Sequence, residues 1–572
     1  MVMKWNFETK VGLISLVFIG VTVICAGRLY FLQIIHGESY RQKDEDQSLS
    51  ATGALFERGS IYFQNKDRTL LSAASIKSGY TISIKPALVV DPEKTYKALS
   101  SLINIDQADF LLKVGKKNDP YEELTDKVFE DVGRKIEKLN LPGVLVIREQ
   151  WRIYPADTLA AHVIGFVGYN GNKLDGRYGL ERYYEDNLKR DNNATQQNFF
   201  VEIFSNAKKI SQGGEDLSAD IVSTIEPSVE RTLESALKDT NEKWGSKMTG
   251  GIVMDPTTGE IYAAATYPTF NPNSYQTEKN VSIFSNPLVE SVYEMGSIMK
   301  PITMAAGLDT GIVTASTTYD DKGFLKVDDR TIYNYDKKGR GVVSMQEVLN
   351  QSLNTGASTV ALMLGKKTFT DYITDFGLGE ETGIDLPSEA GGLMNNLIKG
   401  RDVELANASF GQGIAVTPIE MIRALSVLGN GGVLPNPHVV KRLDYTLGYS
   451  KNIMTTENEM RRVIKPETSE EITRMLVEVV DKALVGGTVK LPHYSVAAKT
   501  GTAQIAEKST GGYYPDKYLH SFFGYFPAYN PKFIIFLYTV EPHANYASNT
   551  LTDPFISMVK FLINYYQVPP DR

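Results

Sequence analysis

Ser297 and Lys300 stand three positions apart in the stretch MGSIMKPITMAAG (295–307), and on a helix that spacing puts both side chains on one face, within reach of each other. Pro301 follows the lysine directly. Lacking an N–H, it cannot bond back to the carbonyl of residue 297, which costs little only where a helix begins. Ser297 is thereby placed at a helix N-terminus, where unpaired N–H groups and the positive end of the dipole stabilise developing negative charge. That suits a nucleophile whose attack on a carbonyl creates an oxyanion. Ser-x-x-Lys also arises by accident, and Ser205-Asn206-Ala207-Lys208 is a second match. No apolar periodicity follows Lys208, whereas Ile302, Met304, Ala305, Ala306 and Leu308 follow Ser297 before Gly311, the pattern of a buried helix.

Two later stretches turn the pair into a constellation: Ser352-Leu353-Asn354 and Lys499-Thr500-Gly501-Thr502. Ser-x-x-Lys, Ser-x-Asn and Lys-Thr-Gly in that order resemble the signature of the penicillin-recognising serine acyltransferases; Lys77-Ser78-Gly79 is a decoy for the third piece. Each piece has a chemical task. A serine hydroxyl is barely ionised at neutral pH and needs a base within hydrogen-bond reach. No histidine is placed for it, so Lys300 is the candidate, provided burial or a neighbouring cation lowers its pKa. Lys499 could supply that cation. Ser352 and Asn354 would bridge the cluster, hold the substrate amide and relay the proton to the leaving group. Gly501 lets a ligand lie close along an edge strand, while Thr500, Thr502 and Lys499 offer donors for a terminal carboxylate. The backbone N–H groups of Ser297 and Thr502 would form the oxyanion hole.

These residues need a scaffold, and 572 residues, 42% hydrophobic and 22% charged, suffice for two or three globular domains. A net charge of −8 and the lack of a basic block with interleaved aromatics speak against nucleic acid. The six histidines are scattered without metal-ligand spacing, so neither a metal nor another cofactor is implied. Cys25, the single cysteine, excludes an intramolecular disulfide. It lies in the one strongly apolar run, uncharged from Val11 to Gly27 and continued past Arg28 to Ile35. That length can just span a bilayer and exceeds a typical signal-peptide core, although cleavage after Cys25 or Ala26 stays open. Lys4 and Lys10 favour a cytoplasmic tail over 1–10, a single transmembrane helix over 11–35, and everything from 36 onward outside the cytoplasmic membrane.

Residues 36–220 read as an elongated mixed domain in which β-like pieces, YTISI (80–84) and GVLVI (143–147), alternate with charged helical pieces such as YEELTDKVFEDVGRKIEKL (121–139). A second domain, 221–572, opens with an amphipathic helix over 225–239 carrying Val229, Leu233, Ala236 and Leu237 on one face. GGIVMD, a turn at Pro256–Gly259, and IYAAAT then predict a hairpin. SFFGYFPA (521–528) and FIIFLYTVE (533–541) predict another, followed by a terminal helix through Phe555, Val559, Leu562 and Tyr566. A central antiparallel sheet built from both ends of the domain, with helices inserted between, is an α+β arrangement.

The resemblance covers nearly the whole chain. GGIVMDPTTGEIYAAATYPTFNPN (250–273) is similar to the opening of the transpeptidase domain of class B penicillin-binding proteins, and GQGIAVTPIEM (411–421) to a later segment of it. RLYFLQIIHGESY (28–40), ERGSIYF (57–63), YPADTLAAHVIGFVG (154–168) and YGLERYYEDNL (178–188) resemble that family's post-anchor segment and dimerisation-type pedestal, in the same order. One departure is Phe63-Gln64-Asn65-Lys66, where the family has Asp-Arg and then Asn-Gly. No Glu-Asp-x-x-Phe-x-x-His element of a glycosyltransferase domain occurs. The resemblance implies a membrane-anchored peptidoglycan D,D-transpeptidase that is acylated on Ser297 and acts on stem peptides of lipid-linked glycan strands. It implies β-lactams as inhibitors, and a membrane glycosyltransferase and division proteins as partners. Residues 518–533 are similar to the division-type branch, which implies septal synthesis. An elongation-type enzyme, a D,D-carboxypeptidase or β-lactamase, and a non-catalytic β-lactam sensor are the alternatives.

Overall fold

The computed structural model describes residues 57–171, 173–190, 218–446, 448–453, 460–507 and 511–572. The expected cytoplasmic tail and anchor over 1–35 lie outside these residues. Among the described residues, no helix is long and apolar enough to cross a membrane.

The chain divides into two compact units of mixed α and β structure. The first contains Ile76–Trp151 and is built around Ile82, Ile84, Leu99, Phe110 and Ile136. The second half of strand Leu70–Ile84 pairs antiparallel with Glu122–Phe129, from Gly79 opposite Phe129 to Ile84 opposite Glu122. YTISI and GVLVI are strands as expected. The stretch 121–139 is helical only over Glu130–Lys138. Its first half is a strand because Leu124 and Val128 pack on the core while a neighbouring strand supplies backbone partners. Tertiary pairing overrides the helix-prone charged composition there.

The second unit contains Arg58–Ser75, Arg152–Arg190 and the described residues from Ser218 onward, so two segments from within 36–220 fold with the later residues. Strand Ile61–Gln64 runs parallel to Ala219–Ser223, which pairs antiparallel with Val440–Tyr445. A buried ion cluster fastens the two early segments to each other. Glu181 accepts from Arg58 Nε at 2.6 Å and from Arg152 Nε at 2.7 Å, and Tyr154 donates its hydroxyl at 3.2 Å. Burial alone would push the Glu181 carboxyl up, but the two guanidinium groups hold it below the ordinary range. Separating such a buried carboxylate from its partners is strongly unfavourable.

Within this unit, nine elements position the chemistry: α1 (Pro227–Trp244), β1 (Met248–Met254), β2 (Ile261–Tyr267), α2 (Lys300–Asp309), α3 (Asn354–Asp375), β3 (Ala497–Glu507), β4 (Gly512–Phe526), β5 (Phe533–Val540) and α4 (Ala547–Tyr566). The strands form one antiparallel sheet in the order β3-β4-β5-β1-β2. Both expected hairpins are present, and they join where Phe536 faces Ile252. On one face Val253, Phe522, Ile535 and Leu537 pack against Leu233 and Leu237 of α1 and Phe555 and Leu562 of α4. On the other, Ile252, Phe523, Ile534 and Phe536 meet Ile302 of α2 and Val360 of α3. Burial on both faces is why β5 reads FIIFLYTV without alternation. The Lys-Thr-Gly strand, β3, stands at the edge.

Candidate active site

Ser297 lies in a 3-10 turn, Gly296–Met299, that runs directly into α2 with Pro301 in its first turn. The helix therefore begins at the serine as its sequence implies, but through a tighter turn than an α-helix. In 3-10 geometry side chains at i and i+3 eclipse, and Lys300 Nζ comes to 2.9 Å from Ser297 Oγ. The turn carries Gly296 at φ +66°, and a Cβ there would press to 3.0 Å on the backbone of Thr502. Glycine thus lets the nucleophile turn lie directly against β3.

Lys300 is fully enclosed. Its Nζ donates to Ser352 O at 2.6 Å and lies 3.1 Å from Ser352 Oγ. Ser352 can offer both oxygens to one nitrogen because its backbone is left-handed, with φ +55°. Lys499, projecting from β3, donates to the same Ser352 Oγ at 3.1 Å and to Thr500 O at 3.1 Å. Neither lysine has a carboxylate partner among the described residues, and each is at most 3% exposed. Burial, reinforced by the charge of Lys499, pushes Lys300 well below the ordinary lysine range. Burial brings Lys499 down to about 8.

Four of the eight sequence-derived residues, Ser297, Lys300, Ser352 and Lys499, thus form one contact cluster. Asn354 stands beside it, at the first position of α3, with Nδ2 donating to Tyr333 O at 2.9 Å. Strand alternation separates the rest of the third motif. Lys499 and Gly501 face the nucleophile turn, where a Cβ on Gly501 would lie 2.3 Å from Ser521 Oγ and 2.7 Å from Met295 O. Thr500 and Thr502 face the α4 side, opposite Phe522 and His520. Lys499 is therefore aimed at Ser352 and away from the two threonine hydroxyls. His520 is on the α4 face as well, its Nδ1 2.9 Å from Thr550 Oγ1, and burial lowers its pKa to about 4. His493 is exposed. No histidine contacts Ser297 or Lys300 among the described residues.

Nothing in the local sequence marks three supports of this site. Asp321, 1% exposed, accepts from Asn334 Nδ2 at 3.0 Å and from Thr355 Oγ1 at 2.9 Å, while Thr355 N–H donates to Asn334 Oδ1 at 3.2 Å. That network holds the first turn of α3 and with it the second motif. Ser521 Oγ donates to Met295 O at 2.8 Å, fastening β4 to the nucleophile turn. Tyr513 donates its hydroxyl to Glu294 at 2.9 Å, and burial pushes that carboxyl up to about 7. Among the described residues there is no cluster of three or more His, Cys, Asp or Glu side chains able to hold a metal.

The model of the penicillin binding protein transpeptidase domain matches residues 249–559, and that of the penicillin-binding protein dimerisation domain matches 56–209. Stage V sporulation protein D of Bacillus subtilis is 31% identical over 551 residues, covering 94% of this chain and 82% of the relative. Peptidoglycan D,D-transpeptidase FtsI of Buchnera aphidicola is 27% identical over 583 residues, covering 100% of this chain and 96% of its own. MrdA of Acinetobacter baumannii, also named a peptidoglycan D,D-transpeptidase, is 26% identical over 90% of this chain and 83% of its own. Among solved structures, penicillin binding protein 3 from Mycobacterium tuberculosis, complexed with aztreonam, superposes with a TM-score of 0.69 at 21% identity over 91% of this chain and 98% of that one. Penicillin binding protein 2X from Streptococcus thermophilus gives 0.72 at 21% identity over 90% and 80%. These two likenesses concern the fold.

Proposed function

The chain belongs to the penicillin-binding protein transpeptidase family and is a serine-type, penicillin-sensitive peptidoglycan D,D-transpeptidase; we propose that Ser297 is its nucleophile, Lys300 its base and the septum of the dividing cell its place of action. The observation that carries the mechanism is the buried Lys300 nitrogen, set between Ser297 Oγ and both oxygens of Ser352. A neutral amine has two hydrogens and one lone pair for these three neighbours. The hydrogens go to Ser352, and the lone pair faces the Ser297 proton. Ser297 Oγ attacks the carbonyl of the penultimate D-Ala as its proton passes to Lys300, and the oxyanion rests on the N–H groups of Ser297 and Thr502, whose backbones Gly296 brings together.

When the C–N bond breaks, the proton leaves Lys300 through Ser352 for the departing D-Ala amine. The amine of a second stem peptide then attacks the acyl ester and gives up a proton to Lys300, which passes it to Ser297 Oγ as the C–O bond to the serine breaks. Lys499 holds positive charge on the far side of Ser352 Oγ, which favours the neutral form of Lys300. Thr500 and Thr502 take the terminal carboxylate, and Asn354 orients the substrate amide. The N-terminal run 11–35 anchors the chain in the cytoplasmic membrane, residues 36–220 serve as pedestal and 221–572 as the catalytic domain. Lipid-linked glycan strands from a membrane glycosyltransferase supply the stems, and β-lactams acylate the same serine. The likeness of 518–533 to the division-type branch supports the septal assignment.

Intact-mass measurement after benzylpenicillin treatment tests the nucleophile: the wild type gains one adduct and Ser297→Ala gains none. An adduct on the alanine variant would move the nucleophile elsewhere, Ser205 being the alternative. Lys300→Arg, charged at any working pH, is expected to lose ~10²–10⁴-fold in acylation rate with a smaller change in noncovalent affinity. A fluorescent fusion concentrated at mid-cell supports septal action; one spread along the side wall would make the enzyme elongation-type.

A further inference from the structure

Thr502 is tied to an element no motif includes. The N–H of Ala547, first residue of α4, donates to Thr502 Oγ1 at 3.1 Å. Tyr546, the residue before the helix, caps it with no side-chain hydrogen bond, so an N–H left without an intrahelical partner finds one across the interface on β3. A hydroxyl has one proton and two lone pairs. With one lone pair facing the Ala547 N–H, the Thr502 proton is turned away from α4, and among the described residues no group accepts it. The side chain is half-buried on the edge strand. Thr500, two residues earlier, lies on the same face.

Two contacts from β4 hold α4 behind Thr502, and one bond within the first turn of the helix adds to them. Phe522 stacks on Phe555 with centroids 4.3 Å apart, His520 Nδ1 lies 2.9 Å from Thr550 Oγ1, and Thr550 Oγ1 donates back to Ala547 O at 3.2 Å. The donor is thus part of a packed layer, aimed at Thr502 before any ligand arrives. Accepting a hydrogen bond also polarises the hydroxyl and makes it a stronger donor, and the positive end of α4 acts in the same direction.

We propose that the Ala547 N–H is a positioning group for carboxylate recognition: it sets the Thr502 hydroxyl as a pre-aimed donor to the terminal carboxylate of the stem peptide or of a β-lactam. This rests on the assignment of Thr502 to the carboxylate made above. The anion meets the hydroxyl, and the helix acts through it. No motif in the sequence contains Ala547, because its part is played by a backbone atom that any residue except proline carries.

The decisive variant replaces Ala547 by lactic acid through nonsense suppression, which turns the 546–547 amide into an ester and removes the N–H without adding an atom. Acylation rate constants are measured with benzylpenicillin and with its methyl ester, whose carboxylate is blocked, on the full chain. The expected result is a loss of ~10-fold for benzylpenicillin, expressed mainly in the noncovalent dissociation constant, and less than twofold for the methyl ester. Ala547→Pro removes the same N–H. The extended Tyr546 backbone, φ −135° and ψ 139°, and the first helical position both accommodate proline, and the same selective loss is expected.

Thr502→Val separates the two layers of inference. If it fails to discriminate between acid and ester, the carboxylate assignment itself is wrong. If it discriminates while both Ala547 variants acylate like wild type, the assignment stands and the Ala547 proposal falls. Equal losses for both ligands in the Ala547 variants would also overturn the proposal, reducing the contact to a structural cap.

Discussion

Lys300 and Lys499 approach a single oxygen from two sides, each Nζ lying 3.1 Å from Ser352 Oγ. Two ammonium groups sharing one hydroxyl there would be opposed by burial and by each other, so the cluster favours one proton fewer than two free lysines would carry.

The acylation rate is therefore expected to follow a bell in pH. It rises as Lys300, pushed well below its ordinary range by burial and then by Lys499, loses its proton. It falls with a midpoint near the value of about 8 to which burial brings Lys499, because the neighbouring positive charge is then lost. Lys499→Arg keeps that charge at every pH and should remove the alkaline limb while slowing acylation overall. Stopped-flow acylation by a chromogenic cephalosporin across pH 5–10 measures it; an alkaline limb unchanged in the arginine variant would remove Lys499 from the titration.

Gly501→Ala should cost stability and acylation together. Its Cβ would stand 2.3 Å from Ser521 Oγ and 2.7 Å from Met295 O, breaking the 2.8 Å bond between those atoms. Overpacking of this kind costs about 1–3 kcal/mol, read as a lower denaturant midpoint. Adding Ser521→Ala relieves the closer contact and should restore part of the stability. No gain in the double variant would show that the strain lies elsewhere.

Asp321→Asn tests the support beneath the second motif. The buried carboxylate accepts from two side chains and also from the N–H groups of Gly323, at 3.0 Å, and Arg340, at 3.1 Å. An amide must turn a donor toward some of these donors, a loss of about 1–3 kcal/mol. The acylation rate should fall more than noncovalent affinity, since the network holds the turn carrying Ser352. Unchanged kinetics in a destabilised variant would limit Asp321 to the fold.

Glu234 on α1 is half-buried beside the fully buried Glu230, and burial pushes its carboxyl up from 4.5 to about 7. The folded state then holds the proton more tightly than the unfolded state. The stability this confers is complete below pH 4.5 and is lost as pH rises through about 7. Glu234→Gln keeps an acceptor for the Ala160 N–H, 2.9 Å away, and carries no charge. It should gain on the order of 1–2 kcal/mol over wild type on moving from pH 5 to pH 8, the figure being reduced by solvent screening at a half-buried site. Denaturant melts at both pH values measure the difference; a constant offset would mean Glu234 does not titrate with unfolding.

What the sequence by itself determined is local in origin. The Ser297–Lys300 contact follows from three-residue spacing at a helix start marked by Pro301, and the two hairpins from apolar runs flanking short turns. The second motif was visible as residue types, yet the left-handed backbone that turns both oxygens of Ser352 onto Lys300 has no signature in a serine. Tertiary structure alone decided the rest. Convergence of Ser352 and Lys499 depends on packing β3 against α2, and the perturbation of both lysines depends on a burial no neighbouring residue predicts. The strand Glu122–Phe129 took the place of a charged helix because a partner strand was available, and Arg58 and Arg152, 94 positions apart, meet on Glu181 only in the folded chain. Spacing along a chain reports what lies within a turn or a hairpin; electrostatic environment and long-range hydrogen bonds arise only where distant segments exclude water together.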